Sequence, residues 1–138
     1  MKKFQIFAIR TNGYQRDAKI RIDGAREIYD VYYVNPESYY EKNTVIDKEI
    51  EVEGNLKIIW VLDALHTDQS LSFRQPDYNS SFTTAVVEIK NIIEDSRVMV
   101  ATSEFSWDIP VVFETAMTLT IGQKILISGF LAIEFEDD

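Results

Sequence analysis

Residues Thr44 to Leu65 hold the pattern that most restricts how this chain can fold. Asp47-Lys48-Glu49-Ile50-Glu51-Val52-Glu53 alternates strictly, which sets Asp47, Glu49, Glu51 and Glu53 on one face of an extended strand. Leu56 to Leu62 is apolar at every position except Lys57, as expected of a central strand covered on both faces. Gly54-Asn55 separates the two runs. A three-residue loop that takes in Glu53 pairs Val52 with Leu56 and Ile50 with Ile58, and brings the acidic row against Lys57. A one-residue slip would turn the apolar set to water, so this hairpin register is the expected one. Trp60 is then a core residue.

The same two-residue period recurs along the chain. Lys3–Arg10, Ala18–Asp23 and Glu27–Val34 read as strands, the first two joined by a Thr11-Asn12-Gly13-Tyr14 turn, with Lys19 and Arg21 on the wet face. Asn35-Pro36-Glu37-Ser38 has the order of a helix start, giving one short helix near residues 36–42. His66 to Ser81 is a polar loop in which Ser70–Phe73 adds a short edge strand. Phe82–Ile93 fits both periods, and its density of Thr, Val and Ile selects strand. Glu94-Asp95-Ser96 turns it into Arg97–Phe105. In the last third, a Gly122-Gln123-Lys124 loop would pair Ile121 with Ile125, Leu119 with Ile127 and Phe113 with Ile133, setting Gly129 opposite Met117. Phe113 is expected in the core. No internal repeat or linker stands out. The expected fold is all-β: one domain over residues 1–138, an antiparallel β-sandwich or partly open β-barrel of about nine strands.

Composition narrows the chemistry. No cysteine is present, which excludes disulfides, thiolate metal sites and a cysteine nucleophile, and is in keeping with a cytoplasmic setting. The apolar run at the N-terminus is broken by Gln5 and ends at Arg10, too short for a signal sequence or a membrane span. Net charge is −9, unevenly spread: residues 1–26 carry +5 and the remainder −14. Binding to nucleic acid or anionic lipid is therefore disfavoured over most of the surface, and a basic partner is favoured.

Enzymatic signatures are weak. His66 with Asp63, Asp68 and Asp77 is the one conceivable metal cluster, and it lacks ligand spacing. No serine sits in a nucleophile turn, and no glycine loop could cradle phosphate. No catalytic residue, metal or cofactor is expected. The distinctive surface features are the acidic row and a tyrosine cluster: Tyr29, Tyr32, Tyr33, Tyr39 and Tyr40 place five of the seven tyrosines within twelve residues. Tyrosine offers large contact area at low entropic cost.

The reading that follows is a non-enzymatic cytoplasmic binding protein of the inhibitor or immunity type. It would cover a basic site on a partner, such as a toxin or a nucleic-acid-binding enzyme, through Asp47, Glu49, Glu51, Glu53, Tyr32, Tyr39 and Tyr40. Two other readings are a structural subunit of a larger assembly and a single-strand nucleic-acid-binding β-barrel. The latter would use the basic N-terminal segment with Tyr14, Arg16, Lys19 and Arg21, and keep Glu134–Asp138 as an acidic end.

Overall fold

Alternation of apolar and polar side chains produces strands almost everywhere the chain is described. The computed structural model describes residues 2–12, 15–22, 27–33, 50–77 and 80–135, with side chains at 3–6, 17–22, 27–32, 54–77 and 80–134. Among these there are ten strands and no helix: β1 (Lys2–Asn12), β2 (Gln15–Ile22), β3 (Ile28–Tyr33), β4 (Ile50–Val61), β5 (Leu65–His66), β6 (Ser72–Arg74), β7 (Phe82–Glu94), β8 (Arg97–Ala101), β9 (Ile109–Phe113) and β10 (Lys124–Phe135). The expected helix at 36–42 lies outside the described residues. The all-β barrel class is as expected, and Phe82–Glu94 is a strand throughout.

The chain divides into two compact units, and β4 and β10 each contribute one half to either. In the first unit β1, β2 and β3 form an antiparallel meander, with Phe4 opposite Ile22 and Ala18 opposite Val31. β3 pairs in parallel with the end of β10, Tyr33 against Ile133. β10 lies beside β4, and β4 returns antiparallel to β1, Val52 against Phe4. The ring of five is closed, so none of its strands leaves a free edge. Phe4, Ile6, Ile20 and Val31 are fully buried inside it. Each such side chain contributes about 1.5–3 kcal/mol through burial.

The second unit repeats this ring with other strands. β7, β8 and β9 form the meander, β9 pairs in parallel with β4 (Val111 against Ile58), and β10 closes antiparallel onto β7 (Ile127 against Ala85). β10 again lies beside β4, while β6 adds to β7 and β5 to β10. The two parallel pairs depart from the purely antiparallel sheet expected.

The ring order exposes a repeat that inspection of the sequence alone passes over. Ile50-x-Val52-x-Gly54-x-Leu56-x-Ile58 and Ile125-x-Ile127-x-Gly129-x-Leu131-x-Ile133 align without a gap. Their glycines do the same work. A Cβ on Gly54 would lie 2.8 Å from the Glu134 carbonyl oxygen, and one on Gly129 would lie 2.7 Å from the Ile59 carbonyl oxygen. Their cross-strand partners match as well: Val52 faces Phe4 and Ile127 faces Ala85. Each ring is therefore one four-strand repeat plus part of the fourth strand of the other.

This arrangement corrects two expected hairpins. Gly54-Asn55 is no turn, because β4 runs unbroken from Ile50 to Val61 and Gly54 is there to admit a neighbouring backbone. In the observed register Glu51 stands across from Gln5 and Glu53 across from Lys3, on β1 rather than on a following hairpin strand. The second hairpin fails because residues 114–123 form no strand, and β10 pairs with β7 instead. Met117 N–H donates to the Asp95 carbonyl and Gly122 N–H to that of Ile89, both at 2.8 Å, which ties this segment to the β7–β8 end. Gly122 is a turn glycine at φ +89°, but Ile121 is exposed rather than paired with Ile125. The inward set Ile125, Ile127, Leu131 and Ile133 is buried as the alternation requires, against different partners. Strand β8 also ends at Ala101, short of Phe105. Thr102 Oγ1 accepts from the Phe105 N–H at 3.0 Å there, and Phe105 is buried beside Phe73 and Trp107.

Candidate docking site

Trp60 is the residue that sequence periodicity misplaces most. Alternation with Leu56 and Ile58 would send it inward. Instead, Ile58 pairs with Val111 and Val61 with Phe113, three steps on β4 against two on β9, so one extra residue is inserted. This β-bulge reverses the phase of the strand. Trp60 takes up the change at φ +57°, the one described non-glycine residue in the left-handed region, and is 45 % exposed. Val61 returns inward, fully buried. A left-handed non-glycine backbone costs about 1–3 kcal/mol and persists where its surroundings over-determine it.

The indole lies over an apolar floor within the second unit. Its ring meets Phe130 edge-on at 5.4 Å between centroids, and Phe130 meets Phe82 likewise at 5.7 Å. With Leu62, Leu65, Leu126, Ile127 and Gly129 these rings line a groove of about 320 Å³. Leu62 and Leu65 are 74 % and 58 % exposed. Asp63 is the single charged residue lining it; its carboxylate accepts from the Ala64 N–H at 2.8 Å. Trp60, the two phenylalanines and the leucines were not among the residues expected to bind. Their signal was present in β10, where Leu126 and Phe130 occupy the outward phase.

The repeat supplies an internal control for this patch. Leu126, Ser128 and Phe130 on β10 correspond to Glu51, Glu53 and Asn55 on β4. Ile50, Val52, Leu56 and Ile58 recur as Ile125, Ile127, Leu131 and Ile133, whereas Leu126 and Phe130 stand where the other copy has Glu51 and Asn55. The ring of the first unit thus closes with Glu51 and Asn55 at the positions that Leu126 and Phe130 hold on β10. Leucine and phenylalanine on the outside of β10 are not a requirement of the fold.

The residues expected from sequence to bind are less informative. Tyr39, Tyr40, Asp47 and Glu49 lie outside the described residues, and Glu51 and Glu53 are described in backbone only. Tyr32 is half-buried on the outer face of β3, across from Asp17. Beside it on that face, Lys19 donates to Asp30 at 2.6 Å and Arg21 to Gln5 at 3.0 Å. Given their cross-strand neighbours, replacing Glu51 and Glu53 together with Gln is expected to change stability by less than about 1 kcal/mol in urea titration, as for exposed pairs. A loss above about 2 kcal/mol would show that the row is an internal charge partner rather than a docking stripe.

Catalytic geometry is sparse among the described residues. His66 is exposed, with Nδ1 3.3 Å from Gln123 Nε2 and Nε2 3.8 Å from an Asp68 oxygen. No three described His, Asp or Glu residues come together as a metal site. Glu88 and Lys90 pair at 2.8 Å on β7; their mutual hydrogen bond and charge hold the carboxyl below its ordinary range and the ammonium above its own. No helix among the described residues is long and apolar enough to cross a membrane. Comparison with protein-family models, with curated proteins and with solved structures found no match.

Proposed function

We propose that this protein is a non-enzymatic, cytoplasmic binding protein of the inhibitor or immunity type, and that it docks a basic partner protein through the Trp60 groove. The observation that carries the reading is the exposed indole itself. A bulge holds it outward on a bed of Phe130 and Phe82, at a backbone angle that a tryptophan does not adopt without constraint. Tryptophan is among the residues enriched where a few side chains carry most of an interface's binding energy. The net charge of −9 would speed association with a basic partner and make it salt-dependent. Capture from a host extract by the intact protein should yield a partner that is lost with Trp60→Ala and with Leu126→Asp. Equal capture by both variants would move the docking site elsewhere.

One observation favours the nucleic-acid reading. The five-stranded ring of the first unit is of the Greek-key kind in which OB-type barrels bind oligonucleotides on the face of their second and third strands. That is a likeness of fold, and sites rather than folds carry function. On this face Lys19 and Arg21 already hold Asp30 and Gln5. Titrating the protein into a fluorescently labelled dT20 oligonucleotide at physiological salt is expected to leave its anisotropy unchanged up to about 100 μM, the weak end of non-specific binding. Micromolar, salt-sensitive binding would put the barrel reading first.

A further inference from the structure

The shape and charge of the groove restrict what can fill it. It lies wholly within the second unit, and none of its lining residues is a lysine or arginine, so a phosphate backbone would find no counter-charge there. Among the described residues, Asp63 and Ser128 are the only polar side chains on its lining, so it offers little to orient a small molecule, whose site normally encloses most of its surface. Ten residues line it, against the roughly 20–30 per side that a stable dimer of this chain would bury. About 320 Å³ takes one large side chain and part of its neighbour. Asp63 stands on the lining, and the unit carries nine acidic residues against five basic ones.

We infer that the groove receives an extended segment of a partner protein that presents one large apolar side chain with a lysine or arginine beside it. The apolar side chain would lie against Trp60, Phe130 and Leu126, and the cation would reach Asp63. This rests on the docking reading above and adds the chemistry of the segment. Because Asp63 already accepts from the Ala64 N–H with one oxygen, its second oxygen is the one offered to the cation. The face of the Trp60 indole offers the same cation a further favourable contact.

The test is a random dodecapeptide display library panned on the intact protein, with Trp60→Ala protein for counter-selection. Sequences that survive should place Phe, Trp, Leu or Ile within two positions of Lys or Arg. The best of these, made synthetically, should bind at least tenfold more weakly to Asp63→Asn protein and to wild type when its basic residue is replaced by Glu. Apolar sequences without a basic neighbour, or a peptide indifferent to Asp63→Asn, would overturn the inference while leaving the groove as a docking site. No enrichment over Trp60→Ala would overturn both.

Discussion

Gly129→Ala is expected to destabilise this protein by about 3 kcal/mol, the upper end of what overpacking costs. The added Cβ would lie 2.7 Å from the Ile59 carbonyl oxygen and 2.7 Å from Val61 Cγ2, with Ile58 Cγ2 at 3.1 Å. A carbonyl in a closed ring cannot swing aside as the tip of a long side chain can, so the strands themselves must separate. Gly54→Ala should follow closely, because its Cβ meets the Glu134 carbonyl oxygen at 2.8 Å and Ile133 Cγ1 at 3.1 Å. Gly122→Ala is the contrast. Nothing lies within 4 Å of its Cβ, but φ is +89°, so the change strains only the local backbone and should cost about 1–2 kcal/mol. Urea unfolding of the three variants gives the ranking. If Gly54→Ala were neutral, β4 and β10 would not run side by side, and both the rings and the repeat would have to be abandoned.

These glycines show where the sequence is legible and where it is not. Period-two alternation put Lys19 and Arg21 on the wet face of the second strand, and Ala18 and Ile20 between them are buried. At Phe82–Ile93 both periods fit, and the density of Thr, Val and Ile separated strand from helix there. Alternation is local, set by the pleat of a single strand. Which strands pair is not local. A glycine between two apolar runs looks alike whether it turns the chain or admits another backbone, and only the partner strand, some 75 residues away in sequence, distinguishes the two. Reading Gly54 as a turn produced the first false hairpin. The apolar phase of residues 117–121 produced the second, although Ile121 is 60 % exposed. The docking groove was hidden for a related reason. Leu126 and Phe130 were visible as outward apolar residues, but Trp60 joins them only because a bulge shifts the phase of β4, and a single inserted residue leaves no mark on composition.

Trp60 and Phe113 lie close on either side of that bulge, and their alanine variants should part sharply. Phe113 is 3 % exposed on β9, so Phe113→Ala leaves a cavity the size of a ring and should cost about 3–5 kcal/mol. Trp60 is larger, yet it is 45 % exposed and meets Phe130 edge-on rather than inside the core. Such a contact is worth about 0.5–1.5 kcal/mol beyond area burial, so Trp60→Ala should cost less than about 2 kcal/mol. Trp60→Gly separates two parts of that loss. It removes the same ring but also relieves the left-handed backbone at φ +57°, and should be at least as stable as Trp60→Ala. Elsewhere in a strand, glycine is the more destabilising of the two. Equilibrium unfolding of the three variants measures all of this at once. A loss of 3 kcal/mol or more for Trp60→Ala would mean that the indole belongs to the core of the barrel, and the groove would lose the residue on which its assignment to docking depends.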